Sequence, residues 1–443
     1  MQKLDTSGRV LVGWNPEDPE TWDSKIAWRT LWVTTFSMVI AFCVWYLVSA
    51  IAPRLNDLGF GLTQAQLYWL VAIPGLSGGV IRLIYMFLPP IVGTRNLVGV
   101  TSLLFLIPMF GWGAVVRFSE VSFAELAILA ALTGIGGGCF SGYMPSTGYF
   151  FPKRLSGTAL GLQAGIGNFG VSLIQFLGPW VMGFGLLGLG MIPSQTRPDG
   201  SPIFVYNTAI VLVPWAIVAS VLAFWLLKDV PIKSNIRRQI DIFGERNTWI
   251  LTLVYIMTFG AFSGFAAQFA LLVNNTFGRT SVFAEQGMTD LPLGAQYAYL
   301  APLIGALIRA LWGPLCDRFG GAIWTFVAGI GLTISVFMAG RHLTPETPDE
   351  FWGFLLWMLI LFLFTGIGNA GTFKQMPMIM PPRQAGGVIG WTAAIASFGP
   401  FFVGVALTAL DAQAFFYGCA VYFAFCTVLV WIFYARPKAP YPG

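Results

Sequence analysis

Two arginines stand where arginines are rare. Arg82 follows Gly78-Gly79-Val80-Ile81 and Arg309 follows Gly305-Ala306-Leu307-Ile308, each inside a long apolar stretch and each eleven residues ahead of a loop glycine, Gly93 or Gly320. An Arg at the centre of a bilayer-spanning helix costs about 2.5–3.5 kcal/mol on insertion scales, and such residues usually face a cavity on a substrate pathway. The 19 acidic residues all fall in tails, loops or helix ends, with Asp57, Glu125 and Asp411 nearest to hydrocarbon, so neither Arg has an acid at its own depth. A guanidinium keeps its charge and presents a planar fork of donors, which matches small planar oxyanions. Two of them in repeated contexts point to one central site for a flat anion. The competing reading, in which each Arg bonds helix carbonyls or reaches for an interface, loses weight because the positions are matched.

Other residues fit beside that pair. Gly157, Gly161, Gly165, Gly167 and Gly170 recur along one span, answered in a later one by Gly386, Gly390, Ala394, Ala396 and Gly399. Small residues at such spacing let helices pack closely, and they also let backbone and the Asn168 amide approach a ligand. Phe42, Phe140, and Tyr255 with Phe259 one turn on, are candidate rings for the faces of a weakly hydrated anion. Lys374 has two readings: a lysine snorkelling to the interface, or a functional group at the inner mouth, either as a third positive charge or, where desolvation lowers its pKa, as a proton acceptor. His342, the only histidine, lies in a loop beside Thr344-Pro345, and the five Cys lie in apolar runs as fillers. With no metal-ligand cluster, phosphate-binding loop or nucleophile–base pair in view, no metal, cofactor or enzymatic activity is expected.

These residues need a membrane scaffold. Of 443 residues, 56% are apolar and 10% charged, far from the roughly 25% charged balance of soluble domains. A spanning helix needs about 20 residues. Apolar stretches bounded by Gly, Pro and charge predict spans over 30–53, 64–89, 96–116, 123–151, 156–183 and 204–227, then 247–273, 293–316, 321–340, 350–380, 385–410 and 413–435. The expected organisation is an N-terminal segment 1–29, a six-helix bundle 30–227, a charged linker 228–246, a second bundle 247–435 and a tail 436–443. Of the 24 Lys and Arg, sixteen fall on the side of both termini and five opposite, which by the positive-inside rule sets both termini in the cytoplasm. The first 28 residues lack a signal-peptide pattern. Topology thus accounts for the net charge of +5, and no nucleic-acid partner is expected.

The halves repeat. Thr133-Gly134-Ile135-Gly136 with Met144-Pro145 recurs as Thr365-Gly366-Ile367-Gly368 with Met376-Pro377, at an offset of 232. An even six helices per half keeps orientation, so the halves are related by an axis along the membrane normal, as in the major facilitator fold. Gly313-Pro314-Leu315-Cys316-Asp317-Arg318-Phe319-Gly320-Gly321 resembles that superfamily's loop motif, with Asp317 in a gating position; the first-half loop, Pro90 to Arg95, lacks the Asp.

Phe42-Cys43-Val44-Trp45, Gly78 to Arg82, Tyr149-Phe150-Phe151-Pro152-Lys153 and above all the run from Gly157 to Gly170 with Gly167-Asn168-Phe169-Gly170 resemble the bacterial nitrate/nitrite porters, over nearly the whole chain. The resemblance implies that Arg82 and Arg309 clamp nitrate, that Asn168 and Tyr255 hydrogen-bond near it, and that Phe42, Phe140 and Phe259 sandwich it. Gly161, Gly165, Gly167, Gly170, Gly390 and Gly399 would serve packing or gating. Ala394, Ala396 and Ser397 depart from the pattern on the second side, and the segment 274–292 is longer than the family leads one to expect. The expected protein is a monomeric inner-membrane exchanger of nitrate and nitrite. Proton-linked nitrate import through Lys374 is the alternative, as is a permease or channel for another small anion.

Overall fold

The computed structural model describes residues 4–118, 120–183, 185, 194–197, 200–231 and 240–441. Within them run twelve helices long and apolar enough to cross a membrane: α1 Ser24–Leu58, α2 Gln64–Tyr85, α3 Thr94–Val115, α4 Phe123–Gly148, α5 Lys153–Val181, α6 Asn207–Leu226, α7 Arg246–Thr276, α8 Gly294–Phe319, α9 Gly321–Gly340, α10 Glu350–Ile379, α11 Gln384–Ala409 and α12 Ala412–Ala435. The expected linker charges Lys233, Arg237 and Arg238 lie outside the described residues. A short antiparallel ribbon, Gln195–Thr196 against Pro202–Ile203, is an element the sequence pattern did not announce.

Local chemistry sets the helix ends. Asp23 accepts the Lys25 and Ile26 amides, so α1 starts six residues earlier than hydropathy alone suggests. Thr63 with Gln66 and Ser122 with Glu125 form reciprocal capping boxes at α2 and α4, which satisfy donors that a helix start leaves bare. Gly320, at φ +86°, ends α8 in a conformation that L side chains rarely adopt.

Packing obeys a two-fold pattern: α2 lies on α4 as α8 lies on α10, α3 on α6 as α9 on α12, and α1 on α5 as α7 on α11. The halves meet through α5 against α8 and α2 against α11. Between these helices small residues permit close approach. A Cβ added at Gly75 would lie 2.8 Å from Pro400 Cβ, and one at Gly165 would lie 2.8 Å from Ala310 Cβ. Large apolar side chains such as Trp225, Leu311 and Val421 face outward, where lipid would cover them.

The halves are joined unevenly along their length. On the side away from the termini, Tyr46 donates to Ser263 O at 2.9 Å, Gln175 to Ala266 O at 2.7 Å, Gln268 to Tyr68 O at 3.2 Å and Asn275 to the Tyr68 hydroxyl at 3.0 Å. Arg279 adds an ion pair to Asp57 at 4.0 Å. On the terminal side, Cβ atoms added at Gly161 or Gly386 would meet nothing within 4 Å. The far side is closed.

The chain start packs on the terminal face of the first half. Trp14 and Trp22 donate to Tyr149 O and Phe150 O, at 3.2 and 2.9 Å. Asp229, just past α6, holds Arg9 at 3.0 Å and accepts the Arg95 amide at 2.9 Å. The first-half loop that lacks its own Asp therefore receives a carboxylate from the end of α6.

Candidate functional site

Pseudo-symmetry brings α2 and α8 to the centre, each presenting its arginine inward. Arg82 is fully buried, and Arg309 is 2% exposed. Arg82 Nε donates to Gly137 O of α4 at 2.7 Å and one Nη to Ala393 O of α11 at 2.9 Å, so this side chain spans the two halves. Its second terminal nitrogen, Nη2, has no hydrogen-bond partner in the protein. Arg309 donates from Nη2 to the Tyr255 hydroxyl at 3.3 Å, and its Nη1 is likewise unpartnered. Carbonyl bonding, the plainer reading of an intramembrane Arg, thus holds for part of Arg82 and leaves one donor group free on each residue.

Rings supply the rest of the environment. Arg82 Cζ lies 4.9 Å from the Phe140 centroid, 5.2 Å from Phe259 and 5.1 Å from Trp45. Arg309 Cζ lies 5.8 Å from Phe140, 5.9 Å from Phe259 and 4.9 Å from Phe373. Both cations therefore share Phe140 and Phe259, whose rings stack at 6.2 Å with 26° between planes. Tyr255 stacks on Phe259 at 5.5 Å and 9°. A desolvated cation–π contact is worth about 2 kcal/mol, which offsets only part of the several kcal/mol that burying each ion costs. Among the described residues no carboxylate forms an ion pair with either arginine. The centre therefore holds excess positive charge.

Asn168 of α5 is 1% exposed, with neither amide atom in a protein hydrogen bond. Phe42 lies one ring further out, 6.3 Å from Phe140 and stacked at 5.4 Å on Trp45, with no guanidinium over it. Phe259 belongs to a π-helical turn, Ile256–Gly260, directly after Tyr255, a local widening frequent at functional sites.

The glycines divide by what a Cβ would meet. At Gly167 it would meet Met38 Sδ at 2.6 Å, at Gly170 Val39 O at 2.3 Å and at Gly399 Gly260 O at 2.3 Å, all within one half, whereas at Gly165 and Gly390 the neighbours, Ala310 and Met86, belong to the other half. Gly161 touches nothing, so its small size serves no packing contact in this arrangement. Lys374 is partly exposed and ion-paired rather than desolvated. Its Nζ is 2.6 Å from Asp317 Oδ1, and the two side chains are 32% and 42% exposed. α10 carries Lys374 to the terminal face, where Asp317 neutralises it across α8.

Two participants escaped sequence reasoning. Trp45 was visible only as part of a motif, and it fixes its ring by donating to Pro74 O at 2.9 Å. Phe373 neighbours Lys374, and its place over Arg309 follows only once α8 and α10 are set side by side.

This fold and centre define a multi-pass helical membrane carrier whose two halves enclose paired cations. The sequence model of the Major Facilitator Superfamily matches residues 34–395. The chain is 52% identical to a probable nitrate/nitrite antiporter of Thermus thermophilus over 445 residues, with 98% of each chain covered. It is 30% identical to the nitrate/nitrite transporter NarU of Escherichia coli over 474 residues, with 99% of each covered. Among solved structures, the inward-open xylose transporter of Escherichia coli superposes with a TM-score of 0.66 at 14% identity, over 93% of this chain and 98% of that one, a likeness of fold. The chain belongs to the major facilitator superfamily and, within it, to the bacterial nitrate/nitrite porters.

Proposed function

We propose that this protein exchanges nitrate and nitrite across the bacterial inner membrane by alternating access around Arg82 and Arg309. The observation that carries the reading is the pair of buried guanidiniums over the same two rings with no carboxylate ion-paired to either. In a low dielectric two such charges repel strongly, and a bound anion relieves that repulsion. The free Nη2 of Arg82, free Nη1 of Arg309 and the Asn168 amide give a planar oxyanion donors from three helices. The nitrate/nitrite transport named for the relatives agrees with this chemistry. A flat anion between Phe140 and Phe259 needs about 7 Å for two van der Waals contacts, so rings at 6.2 Å part slightly to take it.

The rocking bodies are 30–227 and 247–435, joined by 228–246 and flanked by 1–29 and 436–443 on the cytoplasmic side, the side favoured by the Lys and Arg distribution. The working unit is a monomer in the bilayer. Exchange is favoured over proton symport because Lys374, the candidate proton acceptor, sits at the terminal face paired with Asp317. Purified protein in vesicles tests this: nitrate uptake should require internal nitrite or nitrate and should accelerate against unlabelled anion. Full-rate uptake into anion-free vesicles with accompanying acidification would establish symport, and the absence of counterflow would mark a channel.

A further inference from the structure

Among the described residues three buried amides have neither side-chain polar atom in a protein hydrogen bond: Asn168, Asn369 and Gln375. Leaving such a group bare costs about 1–3 kcal/mol, so a packed helix keeps one where something else uses it. Asn168 is already read as an anion ligand. Asn369, fully buried in α10, has no role so far.

Its position is set from two directions. One turn before it, Gly366 lies against α8, where an added Cβ would sit 2.6 Å from Gly305 O and 2.9 Å from Ile308 Cβ. One turn after it, Phe373 takes Arg309 Cζ at 4.9 Å. Gly366, Asn369 and Phe373 thus form one stripe of α10 facing the Arg309 turn of α8. The repeat offset of 232 agrees, since it matches Asn369 to Gly137, where an added Cβ would lie 2.7 Å from the Trp45 ring, the ring that Arg82 Cζ overlies at 5.1 Å. The first half brings its amide from α5. The second cannot do so from α11, because the residue matched to Asn168 is Ser397, whose hydroxyl donates to Ala394 O at 2.6 Å.

We propose that Asn369 is the second half's amide ligand for the anion. Its Nδ2 donates to an oxygen of bound nitrate or nitrite, across from Asn168, and its Oδ1 turns to the unpartnered Nη1 of Arg309. The two halves then hold the anion with one guanidinium and one amide each, from helices that are not symmetry mates. This rests on nitrate and nitrite being the substrates.

The test titrates nitrate and nitrite into the purified full chain in detergent, for wild type, Asn369→Leu and Asn369→Ala, with unfolding midpoints read in parallel. Without anion, the variants should melt at or above the wild-type midpoint, because no protein hydrogen bond is lost. Affinity should fall about ten- to a hundred-fold, the worth of a hydrogen bond to a charged group. Variants that bind both anions like wild type overturn the assignment of Asn369 and leave the substrates standing. Wild type that binds neither anion overturns the substrates and the assignment together. A lowered midpoint with unchanged affinity, or failure of both variants to fold, makes Asn369 a packing residue and also overturns the assignment.

Discussion

Arg82 is held before any ligand arrives: two of its donors are fixed by Gly137 O and Ala393 O, which aims the third edge of the guanidinium. Lysine cannot reproduce that. An ammonium is a point charge on a flexible stem, unable to reach two carbonyls on different helices and still present a planar edge. Arg82→Lys should therefore weaken nitrate binding by about ten- to a hundred-fold while keeping the charge, as read by calorimetric titration; wild-type affinity would argue against bidentate recognition. Because guanidinium does not titrate in the physiological range, wild-type nitrate affinity should also stay flat between about pH 6 and 8. At this scale the sequence was informative where chemistry is scarce. An intramembrane Arg, or an Asn among glycines, stands out in an apolar chain. Aromatic residues do not, since 39 Phe and 17 Trp give no contrast, and so Phe373 and Trp45 became legible only when helix pairs were known. The partner of Lys374 was illegible for a related reason: Asp317 comes from another helix.

Elements explain why spans were easier to read than contacts. Hydropathy, caps and positive-φ glycines act locally, and the twelve spans follow from them within a few residues. What a glycine is for depends on the helix opposite. Gly161 and Gly165 look alike in sequence, one turn apart on α5, yet only Gly165 faces a backbone, with Ala310 Cβ, Cα and N at 2.8, 3.1 and 3.1 Å from an added Cβ. Ala310 directly follows Arg309, so anything that forces α5 from α8 displaces the site. Gly165→Val should destabilise by about 1–3 kcal/mol through overpacking and abolish most exchange. Gly161→Ala should leave the melting temperature within error of wild type in the same assay. Equal effects of the two substitutions would show that the glycines matter by flexibility rather than contact. The first-half loop gives another instance of distance in sequence hiding function. Its missing Asp is supplied by Asp229, more than a hundred residues on, which accepts the Arg95 amide and pairs with Arg9.

For the whole molecule the question is what must break for the far side to open. The long segment 274–292 has an answer here: Asn275 reaches the Tyr68 hydroxyl and Arg279 reaches Asp57, so it ties the second half to the ends of α1 and α2. The Asn275 bond and those of Tyr46, Gln175 and Gln268 each contribute about 0.5–1.5 kcal/mol. A carrier that visits both states needs comparable contacts on the terminal side in the other state, or the cycle would stall with the far side shut. Arg279 is the contact most open to testing, since it is 55% exposed and touches no part of the central site. An exposed ion pair is worth about 0.2–1 kcal/mol, and reversing one charge replaces attraction with repulsion of similar size. Arg279→Glu should thus shift the equilibrium toward far-side opening by about two- to thirty-fold. The measurement is the rate at which a membrane-impermeant maleimide, added from the far side, labels the thiol of Val71→Cys, compared with the same chain without that substitution. Val71 is a buried α2 position facing Ala267 and Pro400 of the other half, and it makes none of these bonds. Binding in detergent should change by no more than this shift in population, because Arg82, Arg309 and their rings are untouched. Faster labelling with intact binding would identify the segment as a latch, and an unchanged rate would reduce the ion pair to a surface contact and leave closure to the buried hydrogen bonds alone.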